Sequence, residues 1–330
     1  MSIINQLNAT TEYYWLQTEP QDIVNKASAL LWKLMGLALA RDNWTVKPHE
    51  VVDGGLKVKV PLVFAASHGE AYGATTVIKQ SKKNIIDAAR FGWGGIVSSN
   101  TLNLDDLTQN TGDEAIISLT SQYMKSIITT ARTTMADHVI AAAVDSKYIN
   151  GLGDLFNTST STEYGSIDED EMPTWKANVV TTSEAIGFKV MQVIFQQPGF
   201  GENDGYMPNF CVTSQALKDG YERTLQTQQR FLRDSKMVEA GWDHVLFRGA
   251  PVVADTRYTM SAGKGTLDAL NLNYLSLRSH KDYNFTKPEW IAKKESGQPD
   301  TITANSRWRG NLHCKHRAMQ VRHTNLSEPT

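Results

Sequence analysis

Cysteine is scarce in this chain, with only Cys211 and Cys314 among its 330 residues. The two lie far apart in unrelated contexts, which argues against a disulfide framework and favours a reducing compartment during folding. No cysteine cluster is present to form a thiolate metal site. With 41% hydrophobic and 21% charged residues, the composition is that of an ordinary soluble chain, sufficient for one large domain or two modest ones.

A long apolar run and a strong charge of either sign are also missing. The stretch ASALLWKLMGLALA, residues 27–40, is too short and too interrupted by Lys33 to span a bilayer. It follows QTEPQD instead of a basic start, so we predict an amphipathic helix there and no membrane partner. The net charge of −2 gives no global basic field for nucleic acid, although a local basic patch stays open.

The usual sequence motifs of enzymes are absent as well. There is no phosphate-binding loop ending in Lys-Ser or Lys-Thr, and no Gly-x-Ser-x-Gly turn. The segment GFGENDG, residues 199–205, lacks the spacing of a dinucleotide fingerprint and is interpreted as a loop. One alternative stays open, an α/β enzyme built on residues 207–280 with Asp255, His244 or His280 as acid or base. Because no nucleophile or cofactor loop accompanies them, no catalytic residue and no cofactor are predicted.

The segment HCKHRAMQVRH, residues 313–323, is the densest group of potential metal ligands, with His313, Cys314, His316 and His323. A strand would send His313 to one face and Cys314 and His316 to the other, and the spacing fits none of the usual zinc sites. We therefore interpret this segment as a solvated or interface strand and predict no metal. The acidic run at residues 168–171 is interpreted as a solvated loop.

The chain does contain a distinctive order of elements. Residues 1–50 are mostly polar and predict an arm that lies on another surface. In residues 51–80, Leu56, Val58 and Val60 alternate with Lys57 and Lys59, and a second β-rich run follows at residues 75–78. This pattern predicts a two-stranded ribbon, which is marginally stable alone and needs something to pack against, such as another copy of the chain.

A long helix and two strand-rich segments follow the ribbon. Residues 91–100, FGWGGIVSSN, are interpreted as a loop. Apolar residues then recur at three- and four-residue steps over 113–143, which predicts one helix of roughly 45 Å. Residues 150–175 predict an exposed connection, and residues 209–213 a strand that leads into a helix capped near Thr213 or Ser214. The segments WDHVLFRGAPVVAD and LNLNYLSLRSH predict strands, and the basic tail predicts one or two more.

This order resembles the major capsid proteins of tailed phages with the Hong Kong 97-type fold, over nearly the whole chain. The resemblance is carried by VVDGGLKVKVPLVF as the extended loop, by the helix at 113–143 as the spine helix, and by VLFRGAPVVAD with LNLNYLSLRSHKDYNF as the axial domain. The following residues resemble the sequence pattern of the family's axial strands: Gly249, Pro251, Val252, Asp255, Asn271, Asn273, Tyr274, Leu277, His280 and Phe285.

The resemblance implies an α+β fold with five parts. They are an N-terminal arm (1–50), an extended loop and connection (51–100), a peripheral domain (101–205), an axial domain (206–290) and closing strands of the peripheral domain (291–330). The expected assembly contacts are Lys57, Lys59, Lys79, Gly249, Pro251 and Trp290.

The implied function is a non-enzymatic shell protein that forms hexamers and pentamers around double-stranded DNA, without sequence specificity. A separate scaffolding protein, a portal protein and decoration proteins are the implied partners. The implied location is the virion capsid, assembled in the cytoplasm of a host bacterium. An encapsulin-like compartment with the same fold is the alternative shell.

Overall fold

The computed structural model describes residues 7–9, 11–12, 28–31, 33–34, 49–63, 73, 86–103, 113–158, 163–169, 172, 175–198, 207–225, 243–292 and 301–329. The predicted strand at residues 75–78, together with Lys79, lies outside these ranges. So does most of the predicted arm, of which residues 7–9 and 11–12 are helical.

One long helix dominates the helical part of the described chain. The named helices are α1 (Ala29–Leu31), α2 (Asp113–Ile140), α3 (Leu152–Leu155), α4 (Phe188–Gln196) and α5 (Gln215–Leu225). Helix α2 has 28 residues, or about 42 Å, and ends three residues before the predicted position. None of the described helices is long and apolar enough to cross a membrane.

The chain turns back against the C-terminal end of α2, and this ends the helix early. A Cβ atom on Gly151 would lie 2.0 Å from the carbonyl oxygen of Ala141, so the returning backbone lies against the last turn of the helix. The Asp154 carboxylate accepts a hydrogen bond from the Ala143 N–H at 2.9 Å. That N–H therefore has a side-chain acceptor in place of a helical carbonyl.

A five-stranded sheet packs against α2. Its strands are β1 (His49–Val52), β4 (Gly94–Asn103), β11 (Leu275–His280), β12 (Glu289–Ala292) and β13 (Thr301–Cys314). The order is β1-β11-β13-β12, and β4 pairs with β13 over ten residues. The 14-residue strand β13 therefore pairs with three of the other four strands.

Strand β4 corrects the prediction of a loop at residues 91–100. Ile96, Ser98 and Leu102 are buried and alternate with exposed positions, which is the pattern of a strand with one covered face. The glycines of this segment suggested a turn. Gly94 instead allows the backbone at Tyr148 to lie close to β4, because a Cβ there would lie 2.7 Å from the Tyr148 carbonyl oxygen.

The second sheet of the described chain has seven strands. Its strands are β5 (Asn178–Val180), β6 (Glu184–Ala185), β7 (Phe210–Thr213), β8 (His244–Phe247), β9 (Ala250–Ala254), β10 (Gly265–Leu270) and β14 (Val321–Ser327). The order is β5-β14-β10-β7-β9-β8, with β6 also paired to β14. Helices α4 and α5 pack on one face, and the other face continues into the core below the first sheet.

The strand pairing joins segments that the expected division assigns to different parts of the chain. Strand β11 lies within the range assigned to the axial domain but pairs with β13 in the five-stranded sheet. Strand β14 lies among the closing strands but pairs with β10 in the seven-stranded sheet. Hydrogen bonding between distant segments sets this exchange of strands, and local sequence patterns carry no information about it.

The ribbon is an antiparallel pair of β2 (Val58–Val63) and β3 (Ile86–Phe91). Its first strand lies within the predicted segment, and its partner begins farther along the chain than the predicted residues 75–78. Val58, Val60 and Phe91 are buried in the main hydrophobic core. The Arg90 N–H donates to the Gly165 carbonyl at 2.8 Å, so the root of the ribbon is attached to the loop at residues 163–169.

Candidate assembly surface

Three positive side chains lie on the exposed side of the ribbon, and we call them the ribbon-root face: Lys57, Lys59 and Arg90. Lys59 and Arg90 are direct cross-strand partners, so both side chains project from the same side of the pair. All three residues are exposed, and none makes an ion pair with a described residue.

A cleft of about 410 Å³ lies beside this face, between the ribbon and the chain that returns from α2. Lys57 and Arg90 line it, and so do Asp145 and Glu163, which add negative charge. Asn311 on β13 also lines the cleft, and its side-chain amide donates to the Gly92 carbonyl at 2.8 Å and to Asn150 Oδ1 at 2.7 Å. The cleft is therefore polar, carries both signs of charge and has a hydrogen-bonded wall.

The exposed side of β4 and β13 continues this surface. Arg307 pairs with Val97, which is 62% exposed, and Arg309 pairs with Gly95. The Arg309 guanidinium lies 5.7 Å from the centre of the Tyr283 ring. These residues, with Gly95, line a second cleft of about 310 Å³.

Gly249 lies in a turn, but Pro251 is not part of it. Arg248 and Gly249 have φ angles of 48° and 82°, which form a two-residue hairpin turn between β8 and β9. Pro251 lies in β9 opposite Leu246, and the pairing of β9 with β7 begins only at the next residue, Val252. Its missing N–H is therefore tolerated at the end of the strand.

Trp290 is buried within its own subunit, with 2% of its surface exposed. Its indole N–H donates to Thr11 Oγ1 at 2.8 Å, and its backbone N–H donates to Asn8 Oδ1 at 2.9 Å. Its expected role as a contact with a neighbouring copy stays a prediction. The ring fastens part of the N-terminal segment to the five-stranded sheet.

The candidate metal ligands near the C-terminal end of β13 are not gathered into a site. His313 and Cys314 are both fully buried on β13. Burial lowers the pKa of His313 to about 3 and raises the pKa of the Cys314 thiol to about 12. Burial also lowers the pKa values of His316 and His323. Within the described residues there is no cluster of three or more His, Cys, Asp or Glu side chains.

The three acid–base candidates of the enzyme alternative have structural partners. Asp255 is buried, and its carboxylate accepts a hydrogen bond from the Arg257 N–H at 3.1 Å. His244 is buried in β8 opposite Val253, whereas His280 Nδ1 accepts from the Asp282 N–H at 3.1 Å on the other sheet. Neither of the two clefts described above is lined by any of them.

Sequence reasoning identified Lys57 and Lys59 but missed the arginines around them. Arg90 lies in β3, beyond the segment expected to form the ribbon, and Arg307 and Arg309 alternate with buried residues in β13. The alternation in SRWRGN was the available signal for the two strand arginines. Only the strand register brings Arg90 opposite Lys59.

A long helix packed on one sheet, a second sheet covered by two helices and a two-stranded ribbon together form an α+β architecture. It is the Hong Kong 97-type capsid fold.

Solved structures with this fold match most of the chain. The capsid of cyanophage A-1(L) matches with a TM-score of 0.66 and 12% identity, over 91% of this chain and 93% of that chain. The capsid of a native GTA particle matches with a TM-score of 0.53 and 13% identity, over 85% and 89%. The SrpI encapsulin of Synechococcus elongatus matches with a TM-score of 0.53 and 10% identity, over 86% of each chain. No family model and no curated protein matches the sequence.

Proposed function

We propose that this chain is the major capsid protein of a tailed bacteriophage and assembles into the icosahedral head shell. The observation that carries the proposal is the capsid fold over 91% of the chain, together with a ribbon whose outer side bears positive charge without an ion-pair partner among the described residues. A contact between the exposed side of the ribbon and a neighbouring copy would be repeated by symmetry throughout a shell.

In this proposal the two sheets have different positions in the shell. The five-stranded sheet and α2 form the peripheral domain, and the seven-stranded sheet with α4 and α5 forms the axial domain around the capsomer axis. Hexamers and pentamers close the shell, and the exposed residues Lys57, Lys59 and Gly249 contact neighbouring copies. Lys79 and Pro251 are retained as proposed contacts.

The proposal includes partners that a shell of this kind needs. A separate scaffolding protein directs assembly, a portal protein occupies one vertex, and decoration proteins bind the outside. The shell encloses double-stranded DNA through contacts that do not depend on sequence. Assembly takes place in the cytoplasm of the host bacterium, and the protein then remains in the virion. No catalytic step is assigned to the chain.

An encapsulin-like compartment is the second candidate, because the SrpI encapsulin matches with a TM-score of 0.53. The two candidates differ in what the particle encloses. Particles purified from the natural producer should contain double-stranded DNA if the chain is a phage coat protein. Particles filled with one cargo protein and free of DNA would favour the compartment.

The direct test is assembly. The chain is expressed alone and with its proposed scaffolding protein, then analysed by sedimentation velocity and negative-stain electron microscopy. We expect capsomers or closed shells. A compact monomer that persists over a range of salt concentrations, with and without the scaffolding protein, would overturn the proposal.

A further inference from the structure

The ribbon-root face carries a charge arrangement that no carboxylate of the described residues balances. Lys59 and Arg90 are directly opposed across β2 and β3, and Lys57 lies two residues before Lys59. Like charges in directly opposed positions destabilise an antiparallel pair. No carboxylate of a described residue is paired with any of the three cations.

We infer that the ribbon-root face and the adjoining cleft bind a carboxylate-bearing segment of a second copy of this chain. This inference rests on the proposed shell function and specifies the chemistry of one of its contacts. Carboxylates of the incoming segment pair with Lys57, Lys59 and Arg90, and its backbone lies in the cleft against Asn311 and Asn150. The repulsion between Lys59 and Arg90 is then relieved in the assembly.

Charge favours a protein segment over nucleic acid as the occupant. Asp145 and Glu163 line the same cleft as Lys57 and Arg90, so the cleft carries both signs of charge and suits a protein segment that also carries both signs better than a uniformly anionic nucleic-acid backbone. The chain as a whole has a net charge of −2, so its residues other than these three cations carry an excess of acid. A second copy therefore offers the complementary carboxylates.

The cleft wall is suited to hold such a segment in one position. The Asn150 N–H donates to Asn311 Oδ1 at 2.8 Å, and the Asn311 amide donates back to Asn150 Oδ1 at 2.7 Å. The Arg278 guanidinium donates to the Lys59 carbonyl at 3.1 Å and fixes the strand that carries the face. A site whose walls are already ordered loses little entropy on binding.

The test uses Arg90→Glu in the full chain, because this change has opposite effects on the subunit and on the assembly. In the subunit, the introduced carboxylate would lie opposite the positive charge of Lys59, so the Tm of unassembled subunits should stay equal or rise. In the assembly, the same carboxylate would face the incoming carboxylates. We expect the yield of closed shells to fall by about tenfold or more, the equivalent of about 1.4 kcal/mol.

Two further variants keep the test decisive. Lys189→Glu makes the same charge change at an exposed position on α4 and should assemble like the natural sequence. Lys57 lies just before β2, so Lys57→Glu changes the charge of the face without changing a cross-strand pair. This variant should lower the shell yield even if Arg90→Glu lowers the Tm. Normal assembly of both Arg90→Glu and Lys57→Glu would overturn this inference while leaving the shell function standing. If the unaltered chain never assembles, the shell proposal fails, and this inference fails with it.

Nucleic acid is tested separately with unassembled subunits and a short fluorescent double-stranded DNA. DNA binding is measured by fluorescence anisotropy. The inference predicts that Arg90→Glu and Lys189→Glu bind the DNA equally weakly. A selective loss of DNA binding by Arg90→Glu, with unchanged shell yield, would assign the face to nucleic acid and overturn the inference.

Discussion

Arg317 shows how a fully buried charge is accommodated in this protein. Its guanidinium pairs with Glu169, and it donates hydrogen bonds to the Leu155 carbonyl at 2.7 and 3.0 Å and to the Asn157 carbonyl at 3.0 Å. It also lies 4.7 Å from the centre of the Tyr164 ring. One side chain thereby joins α3, the loop at residues 163–169 and the turn before β14.

Replacing Arg317 should destabilise the subunit strongly. Arg317→Met keeps most of the volume but leaves Glu169 buried without its partner, so we expect a loss of about 3–5 kcal/mol in the free energy of unfolding. Urea unfolding of unassembled subunits measures it. Arg223→Met is the matched control, since Arg223 and Glu328 form an exposed pair and the expected loss is at most about 1 kcal/mol. Equal losses in the two variants would contradict the role given to Arg317.

His313 should make stability depend on pH. Burial, followed by the charges of Arg278 and Lys315, lowers its pKa from 6.5 to about 3. Between these two values the unfolded chain binds more protons than the folded chain, so the folded state loses stability as the pH falls. His313→Phe should remove up to about 1.4 kcal/mol per pH unit of this dependence.

Urea unfolding at several pH values below neutrality measures the effect of His313→Phe. Near neutral pH the variant should be about as stable as the natural chain, because neither ring nitrogen of His313 has a hydrogen-bond partner among the described residues. If the slope of stability against pH is unchanged in His313→Phe, His313 is not the buried neutral group that causes the loss of stability at low pH.

At the scale of elements, the sequence predicts best those elements whose signal is local. Helix α2 follows from its apolar periodicity, and the passage from β7 to α5 follows from a buried apolar run and from Ser214, whose Oγ accepts from the Leu217 N–H at 3.4 Å. Strand β4 was not predicted, because the sequence does not distinguish a glycine that allows two backbone segments to approach closely, such as Gly94, from a glycine in a turn. The partners of β11, β14 and β3 were missed because pairing depends on residues far apart in the chain.

The ribbon can be shortened without removing its root. Deleting residues 64–85 and joining Val63 to Ile86 through a short Gly-Ser linker keeps the pairing of β2 with β3 and its packing on the subunit. We expect a folded subunit that forms no closed shells. Circular dichroism and electron microscopy report the two properties. An unfolded chain, or normal shells, would contradict the role assigned to the ribbon.

At the scale of the whole molecule, the two sheets share one core. Apolar residues of both sheets, among them Val212, Val253, Leu277 and Leu312, belong to the same buried cluster. Arg257 adds a polar link, since its guanidinium pairs with Asp137 of α2 at 2.6 Å and with Asp255 at 3.4 Å. The two halves of the described chain are therefore expected to unfold together.

Assembly should stabilise the subunit as a whole. A partner that binds only the folded chain raises its apparent stability by mass action. We therefore expect shells to melt at a higher temperature than unassembled subunits, as measured by differential scanning calorimetry at matched chain concentration. Equal melting temperatures would contradict contacts that form between folded copies.

The interleaving of the two sheets along the chain has a genetic consequence. The five-stranded sheet takes strands from β1 to β13, and the seven-stranded sheet takes strands from β5 to β14. Any single recombination crossover between β1 and β14 therefore divides at least one sheet between two parental genes. Related genes can exchange this protein as one inherited unit, whereas the exchange of one half alone would demand several simultaneous crossovers.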